Sequence, residues 1–278
     1  MGAVETRDLR SREREETLIR KDIALITGAS AGIGLELAKL FAADGHDLIL
    51  VARRADAMEQ LATALYREHG TAVRIWPADL ADPQAPRRLQ ERAAAEGVTV
   101  DILVNNAGFG AVGHFHELPP ERQLGIIDVN MRALTELTHY FLPAMRTRGR
   151  GRILNVGSIV GFLPGPYMAV YYASKAYVVS FSEALAEELT GSGVTVTCLC
   201  PGYTATEFQK VAGLKKAGML ARLRPMPAET VARIGYRGLM SGRRLVVPGW
   251  ANRLSVFGLR FSPRWFTVGA ASRLQKPR

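Results

Sequence analysis

A glycine-rich loop lies between an apolar run and an amphipathic pattern near the start of the chain. Residues 23–26 are apolar, and the sequence Thr27-Gly28-Ala29-Ser30-Ala31-Gly32-Ile33-Gly34 follows them. Apolar residues then recur at helical spacing as far as Phe41, and Asp44-Gly45 ends the pattern. A strand, a glycine loop and a helix in this order predict a helix N-terminus that attracts phosphate. Such a unit favours a parallel sheet whose strands are joined by crossover helices.

The same alternation continues along the chain. Strands are predicted at 48–52, 72–76, 102–104, 152–156, 194–199 and 245–247, and helices at 57–66, 121–146, 171–189 and 230–240. The crossovers are long enough for parallel pairing. The sequence therefore predicts an α/β fold of the doubly wound kind, with about seven parallel strands and helices on both faces. One domain would span 22–248, between a flexible charged leader at 1–21 and a tail at 249–278.

The glycine loop and the end of the second strand together indicate a dinucleotide. Gly28 would allow a tight turn, Gly32 would admit the pyrophosphate, and Gly34 would let the helix pack on the strand. About 20 residues further on, where an acid would hold a ribose 2′-hydroxyl, the chain has Arg53-Arg54. An arginine there accepts a 2′-phosphate, which favours NADP(H) over NAD(H). The alternative is that both arginines only solvate the start of a helix.

Tyr171 and Lys175 lie four residues apart on a predicted helix and therefore share one face. A phenol and an ammonium that reach the same ligand can move a proton. A nearby lysine together with a positive nicotinamide ring would shift the tyrosine pKa downwards from its ordinary value of about 10. Ser158, at the end of the fifth strand, offers a hydroxyl to a carbonyl oxygen. The pattern predicts acid–base chemistry beside the dinucleotide.

In order along the chain, the glycine loop, Asn105-Asn106-Ala107-Gly108, Ser158 and the Tyr171–Lys175 pair resemble the short-chain dehydrogenase/reductase family over roughly residues 22–247. The resemblance implies a Rossmann-fold oxidoreductase that moves a hydride between nicotinamide and a carbonyl. It implies Tyr171, rather than Tyr172, as the general acid/base. It further implies that Lys175 holds the nicotinamide ribose, that Ser158 positions the carbonyl, and that Asn130 kinks a helix and anchors a proton-relaying water.

The resemblance also implies a cofactor site at the ends of the strands. Asp79 and Leu80 would contact adenine, although Asp79 could equally cap a helix, and the segment after the sixth strand would orient the carboxamide. The expected cofactor-binding residues are Gly28, Ser30, Gly32, Ile33, Gly34, Arg53, Asp79, Leu80, Asn106, Ala107, Gly108, Tyr171, Lys175, Pro201, Gly202, Thr204 and Thr206. Residues 202–227 would form a substrate lid. The expected apolar wall consists of Phe109, Phe162, Leu163, Pro164, Met168, Tyr203 and Phe208. No metal is expected, because His114 and His116 lack a third ligand.

The net charge of +10 is concentrated towards the C-terminus. Residues 215–278 contain 14 Lys and Arg against one acid, so this segment carries +13 and the rest of the chain −3. This asymmetry argues against a nucleic-acid binder and favours a local anionic partner. In the tail, Trp250, Leu254, Phe257 and Phe261 form an apolar stripe with arginines beside it. This basic amphipathic tail would pack on its own domain, on a partner subunit, or on a membrane surface.

Other sequence features bear on the oligomeric state, the cellular location and the substrate. The resemblance implies that subunits pair through helix 171–189. An apolar row there, which a monomer would leave partly exposed, predicts a homodimer or homotetramer and consists of Val178, Phe181, Leu185 and Leu189. No apolar run is long enough to cross a membrane and the leader lacks a signal core, which favours a cytoplasmic protein, with peripheral membrane contact as the alternative. The substrate would be a small apolar carbonyl or alcohol, with a 3-oxoacyl chain, a steroid-like ketone or a xenobiotic aldehyde as open choices. A non-catalytic dinucleotide-binding sensor or scaffold is the alternative function.

Overall fold

The computed structural model describes residues 21–213 and 224–275. Within these ranges the strands are β1 (Ile23–Thr27), β2 (Asp47–Ala52), β3 (Val73–Pro77), β4 (Ile102–Asn105), β5 (Gly151–Val156), β6 (Val194–Leu199), β7 (Thr204–Ala205), β8 (Met226–Pro227) and β9 (Leu245–Val246). All except β7 and β8 form one parallel sheet in the order β3-β2-β1-β4-β5-β6-β9, and the order reverses between β1 and β4. The predicted seven-stranded, doubly wound fold is confirmed. Ligands bind at such a reversal of strand order.

Helices cover both faces of this sheet. They are α1 (Gly32–Ala43), α2 (Ala55–His69), α3 (Ala85–Ala95), α4 (Pro120–Ile127), α5 (Leu134–Arg148), α6 (Ala169–Glu188), α7 (Phe208–Ala212), α8 (Ala228–Met240), α9 (Trp250–Leu259) and α10 (Arg264–Gln275). Two short strands, β7 (Thr204–Ala205) and β8 (Met226–Pro227), pair separately within the predicted lid. Residues 1–20 of the predicted leader and 214–223 of the predicted lid lie outside the described residues.

The core consists of two layers, one on each face of the sheet. Strand side chains alternate between faces, so Ile26 on β1 packs with α1 and α8, whereas Leu25 packs with α3, α5 and α6. Burying one such side chain contributes about 1.5 to 3 kcal/mol. Both layers are continuous along the sheet, which fixes the ends of the strands as a rigid edge. Among the described residues, no helix is both long and apolar enough to cross a membrane.

The predicted helix at 121–146 is divided into three parts. A π-helical turn, Asp128–Ala133, separates α4 from α5 and contains Asn130. The extra residue of a π-turn displaces backbone groups from the regular helical ladder and often marks a functional site. The bounds of helix α3 were not predicted, because its four charged residues obscure the apolar spacing of Ala85, Leu89 and Ala93.

The apolar row on α6 does not form an exposed surface. Val178 and Leu189 are buried within their own subunit, and Phe181 and Leu185 pack partly buried against the same core clusters. The prediction that a monomer would leave this row partly exposed therefore holds for Phe181 and Leu185 and is wrong for Val178 and Leu189. Helical spacing shows that these residues share a face, and in the structure that face lies against β5 and β6.

Cys198 and Cys200 project to the same side of the sheet, as their spacing predicts. Both are buried free thiols, and their Sγ atoms lie 3.5 Å apart.

Candidate active site

A cavity of about 1190 Å³ lies at the carboxyl edge of the sheet. The segments that follow β1 to β6 all contribute to its wall. Of the predicted catalytic and cofactor residues, only Gly34 and Asn130 are not part of the lining, and both lie behind it. The predicted residues in the lining are Gly28, Ser30, Gly32, Ile33, Arg53, Asp79, Leu80, Asn106, Ala107, Gly108, Ser158, Tyr171, Lys175, Pro201, Gly202, Thr204 and Thr206.

The glycine loop forms an open cradle at the N-terminus of α1. Gly28 and Gly32 have positive φ angles of 66° and 57°, which side chains other than glycine rarely adopt. A Cβ on Gly34 would lie 2.5 Å from the Gly28 carbonyl oxygen, so only glycine allows this packing. The N-cap residue, Ala31, has no side chain that could bond the first amides of the helix. These amides, together with the helix dipole, suit a pyrophosphate.

Asn106 and Thr27 join the glycine loop to the end of β4. The Asn106 side chain donates to the carbonyls of Thr27 and Gly28, at 2.9 and 3.2 Å. Thr27 Oγ1 accepts hydrogen bonds from the backbone amides of Asn106 and Ala107. These bonds hold the two loops at a fixed separation, so Asn106 supports the cradle as well as lining it.

The two arginines after β2 occupy different environments. Arg53 is exposed and lines the cavity. Arg54 donates to the Ser30 carbonyl at 3.2 Å and forms an ion pair with Glu207 at 2.9 Å. This pair joins the segment after β2 to the start of α7 across the cavity. Glu207 was not predicted from the sequence, because no local pattern links Arg54 to a position 153 residues away.

Asp79 does not cap a helix. Its Oδ1 accepts from the Ala81 amide at 3.0 Å, and α3 begins only at Ala85. Asp79 instead stabilises the turn after β3, and both Asp79 and Leu80 line the cavity. The helix-cap alternative is therefore wrong.

Ser158, Tyr171 and Lys175 converge where β5 and α6 meet. Lys175 is buried, its Nζ donates to the Val156 carbonyl at 2.7 Å, and it lies 5.9 Å from the centroid of the Tyr171 ring. Ser158 hydrogen-bonds with Tyr171 and also donates to the Pro201 carbonyl at 3.3 Å. One hydroxyl, one phenol and one ammonium thus surround a single point of the cavity.

Burial dominates the titration of this group. It raises the pKa of Tyr171 above its ordinary value, and the hydrogen bond with Ser158 offsets this only in part. The expectation of a lowered tyrosine pKa is therefore wrong for the protein groups alone, because desolvation disfavours the phenolate more than Ser158 stabilises it. Burial also lowers the pKa of Lys175 to about 8, while Cys198 and Cys200 oppose that shift. These shifts favour a neutral phenol, which is a proton donor.

The Lys175 shift predicts a pH-dependent stability of the protein without cofactor. The folded-state pKa of about 8 lies below the ordinary 10.5. Between these values the unfolded chain binds more protons, so the free energy of unfolding rises with pH, by about 3 kcal/mol in total. Below the folded-state pKa, Lys175 is protonated in both the folded and the unfolded chain, and its buried ammonium then lowers the free energy of unfolding by the full amount.

We therefore expect Lys175→Met to raise the melting temperature over wild type most strongly below pH 8. The gain should shrink as the pH rises towards about 10. Thermal unfolding across this range measures the difference. Lys39→Met, at an exposed lysine, is the control and should give a small change that does not vary in this way. A gain from Lys175→Met that is independent of pH would contradict the assignment.

Asn130 lies behind Lys175, in the π-helical turn. Its side chain accepts from the Phe109 amide at 3.1 Å, and it donates to the Phe109 carbonyl at 3.1 Å and to Ser174 Oγ at 2.9 Å. Gly108 separates it from Lys175, since a Cβ there would lie 3.0 Å from Asn130 Oδ1 and 3.4 Å from Lys175 Nζ. Asn130 thus fixes the loop after β4 against α6, and its role in anchoring a water remains a prediction.

The outer part of the cavity is apolar. The Phe208 ring lies 5.0 Å from the Tyr171 ring, centroid to centroid. Of the predicted wall, Phe162 and Pro164 do not line the cavity, and the members that do are Phe109, Leu163, Met168, Tyr203 and Phe208.

Helix α9 adds a further wall to the cavity, which was not predicted from the sequence. Its contributing residues are Ala251, Asn252, Ser255, Val256 and Leu259. Asn252 fits over Gly202, where a Cβ would lie 2.6 Å from its Nδ2 atom. Among the described residues, no group of His, Cys, Asp or Glu is placed to hold a metal ion.

The chain is similar to one protein family and to several known proteins. Residues 22–217 match the family described as short chain dehydrogenase. Nodulation protein G of Rhizobium meliloti (strain 1021) is 39% identical over 181 residues, 65% of this chain and 72% of that protein. The very-long-chain 3-oxoacyl-CoA reductase of Pyrenophora tritici-repentis (strain Pt-1C-BFP) is 34% identical, over 83% and 69% of the two chains. A solved short-chain dehydrogenase from Sphingobium yanoikuyae, in complex with NADPH, is 34% identical, with a TM-score of 0.78 over 87% and 96%.

Proposed function

This chain belongs to the short-chain dehydrogenase family and is an oxidoreductase, and we propose that it transfers a hydride between NADP(H) and the carbonyl or secondary alcohol of an apolar substrate. The observation that carries this proposal is the convergence of Ser158, Tyr171 and Lys175 on one cavity that also contains the glycine cradle. A dinucleotide on that cradle would extend along the edge of the sheet towards Tyr171.

Each residue of the site has its own role in the proposed reaction. When bound, NADPH supplies the hydride that adds to the carbonyl carbon. Ser158 holds the carbonyl oxygen by a hydrogen bond. Tyr171 donates its phenolic proton to that oxygen as the C=O π electrons move onto it, so the product is a neutral alcohol. Lys175 holds the nicotinamide ribose, and its ammonium favours the phenolate that Tyr171 becomes.

The return of a proton to Tyr171 completes the cycle. Lys175 lies beside Tyr171, and Asn130 lies on the far side of Gly108 from Lys175. We propose that a water anchored by Asn130 passes a proton to Lys175 and from there to the phenolate. Asn130 is then a positioning residue, because it does not line the cavity.

We propose a 3-oxoacyl chain as the first substrate class to test. Apolar side chains line the outer cavity, which favours an apolar chain as the substrate. The relative from Pyrenophora tritici-repentis is named for reduction of a 3-oxoacyl thioester. A steroid-like ketone remains the second class, since the same apolar wall suits it.

A substrate panel tests this function. Purified protein and NADPH are mixed with 3-oxoacyl thioesters, bulky ketones and aldehydes, and cofactor absorbance is followed. We expect turnover to be fastest with the most apolar carbonyls. Tight NADPH binding without turnover on any of these classes would favour the non-catalytic sensor instead.

We also propose a homodimer or homotetramer, now on a different surface. Helix α4 packs beside α6 and exposes Leu124 and Ile127, at 58% and 38% of their areas. We expect light scattering to give a dimeric or tetrameric mass, and Leu124→Asp to lower it. Tyr66→Asp, at an exposed aromatic residue of α2, should leave the mass unchanged. A monomeric wild-type mass would refute this part of the proposal.

A further inference from the structure

Helix α9 has two opposite faces with different surroundings. At about 100° per residue, the cavity-lining residues Asn252, Ser255 and Leu259 project to one side of the helix. Trp250, Leu254 and Phe257 project to the other and are 78%, 62% and 57% exposed. The predicted apolar stripe therefore does not pack on its own domain. It faces outwards, directly behind the wall of the substrate cavity.

The exposed stripe continues into the next helix. Phe261 follows α9 and packs edge to face on Phe257, with centroids 5.2 Å apart. Trp265 and Phe266, in the first turn of α10, are 76% and 56% exposed. Seven of the twelve large apolar side chains that are most exposed among the described residues lie between Trp250 and Val268. A patch of this kind on a soluble domain marks a site of interaction.

The charge around this patch has one sign. Residues 249–278 contain six Lys and Arg and no Asp or Glu. Those within the described residues, Arg253, Arg260, Arg264 and Arg273, are all exposed. A symmetric interface between two copies would bring this patch against itself, and like charges would then face each other without acids to pair them. An anionic partner fits better.

We infer that the surface formed by α9, Phe261 and α10, the C-terminal face, docks on an anionic lipid bilayer. Trp and Phe side chains are suited to the interface between headgroups and acyl chains. The surrounding arginines are attracted to anionic headgroups, and salt weakens this attraction. Since a helix is about 10 Å in diameter, docking would place the apolar cavity within one helix of the bilayer.

Vesicle sedimentation tests this inference on the full-length protein. Wild type is expected to sediment with vesicles of phosphatidylglycerol and phosphatidylcholine, to be partly released by high salt, and to stay in solution with phosphatidylcholine alone. The triple variant Arg260→Gln, Arg264→Gln, Arg273→Gln should bind the anionic vesicles about a hundredfold more weakly. The variant Trp250→Ser, Phe257→Ser, Phe261→Ser should lose binding at all salt concentrations.

Matched variants elsewhere serve as controls. Arg67→Gln, Arg146→Gln, Arg237→Gln removes the same charge from exposed positions away from the C-terminal face, and Tyr66→Ser, Phe115→Ser removes exposed aromatic rings. Both controls should sediment like wild type. None of the substituted residues lines the cavity, so NADPH binding should survive in every variant and serves as the test of folding.

Failure of wild type to sediment with anionic vesicles would overturn the inference. Loss of binding by the controls to the same extent as by the C-terminal variants would also overturn it. If wild type does not sediment and the serine variant lowers the oligomeric mass, this face is a contact between copies. Sedimentation requires no turnover, so its outcome is independent of whether the proposed reaction is correct.

Discussion

Replacing Tyr171 with phenylalanine is expected to lower kcat for carbonyl reduction by about 10²- to 10⁴-fold, the range typical of a lost general acid. The substitution removes one hydroxyl and leaves the ring, which packs beside Phe208. The fold and NADPH binding should therefore survive. Steady-state kinetics with an apolar carbonyl, together with calorimetric titration of NADPH, separate the two effects.

Tyr172→Phe is the matched control for this prediction. Tyr172 is also buried and lines the same cavity, and its ring lies 6.2 Å from that of Tyr171. It lies three residues from Lys175 instead of four. Its loss should change kcat only mildly. Similar activities for the two variants would show that the proton does not come from Tyr171.

Replacing Arg53 with alanine is expected to weaken NADPH binding by about 10- to 150-fold. A hydrogen bond to a charged group contributes about 1.5 to 3 kcal/mol, and Arg53 is an exposed guanidinium in the cavity wall, free to meet a 2′-phosphate. NADH binding should be nearly unchanged, so the preference between the two cofactors should disappear. Calorimetry with both cofactors measures this directly.

Two further variants locate the effect. Arg67→Ala removes an exposed charge from the last turn of α2, away from the cavity, and should leave both affinities as they are. Arg54 is already paired with Glu207 and Ser30. Arg54→Ala should therefore disturb the contact between these segments and have little effect on the ratio of the NADPH and NADH affinities. If Arg54→Ala abolished the preference and Arg53→Ala did not, the phosphate contact would belong to Arg54. Equal wild-type affinities for NADPH and NADH would refute the preference itself.

Much of the fold could be predicted from local patterns. Short apolar runs predict buried parallel strands because both faces of such a sheet are covered. Each observed strand of the main sheet begins and ends within one residue of the predicted position. The cofactor loop was predictable because few residues other than glycine tolerate the φ angles at Gly28 and Gly32. Loops at the ends of parallel strands then meet at one edge, which brought Ser158, Asn106 and Pro201 into one wall.

The features that were missed depend on contacts between distant parts of the chain. The spacing of Val178 and Leu189 defines a helical face but does not show what covers it. The Arg54–Glu207 pair joins two segments that have no local signal in common. The resemblance implied a kink at Asn130, and a π-helical turn lies there, but its hydrogen bonds to Phe109 and Ser174 on other elements were not predicted. The role of α9 as a cavity wall likewise required knowing where the tail lies.

Transfer of deuterium from the cofactor to the product tests the central claim most directly. Wild-type protein would be given an apolar 3-oxoacyl thioester and NADPH labelled with deuterium on either face of nicotinamide C4, and the alcohol would be analysed by mass spectrometry. A site that presents one face of the nicotinamide ring to the substrate should transfer a single deuterium to the carbinol carbon from only one of the two labelled forms. Tyr171→Phe should slow this transfer without changing which face donates. Alcohol that carries no deuterium from either form, or no alcohol from any carbonyl class despite bound NADPH, would contradict the account.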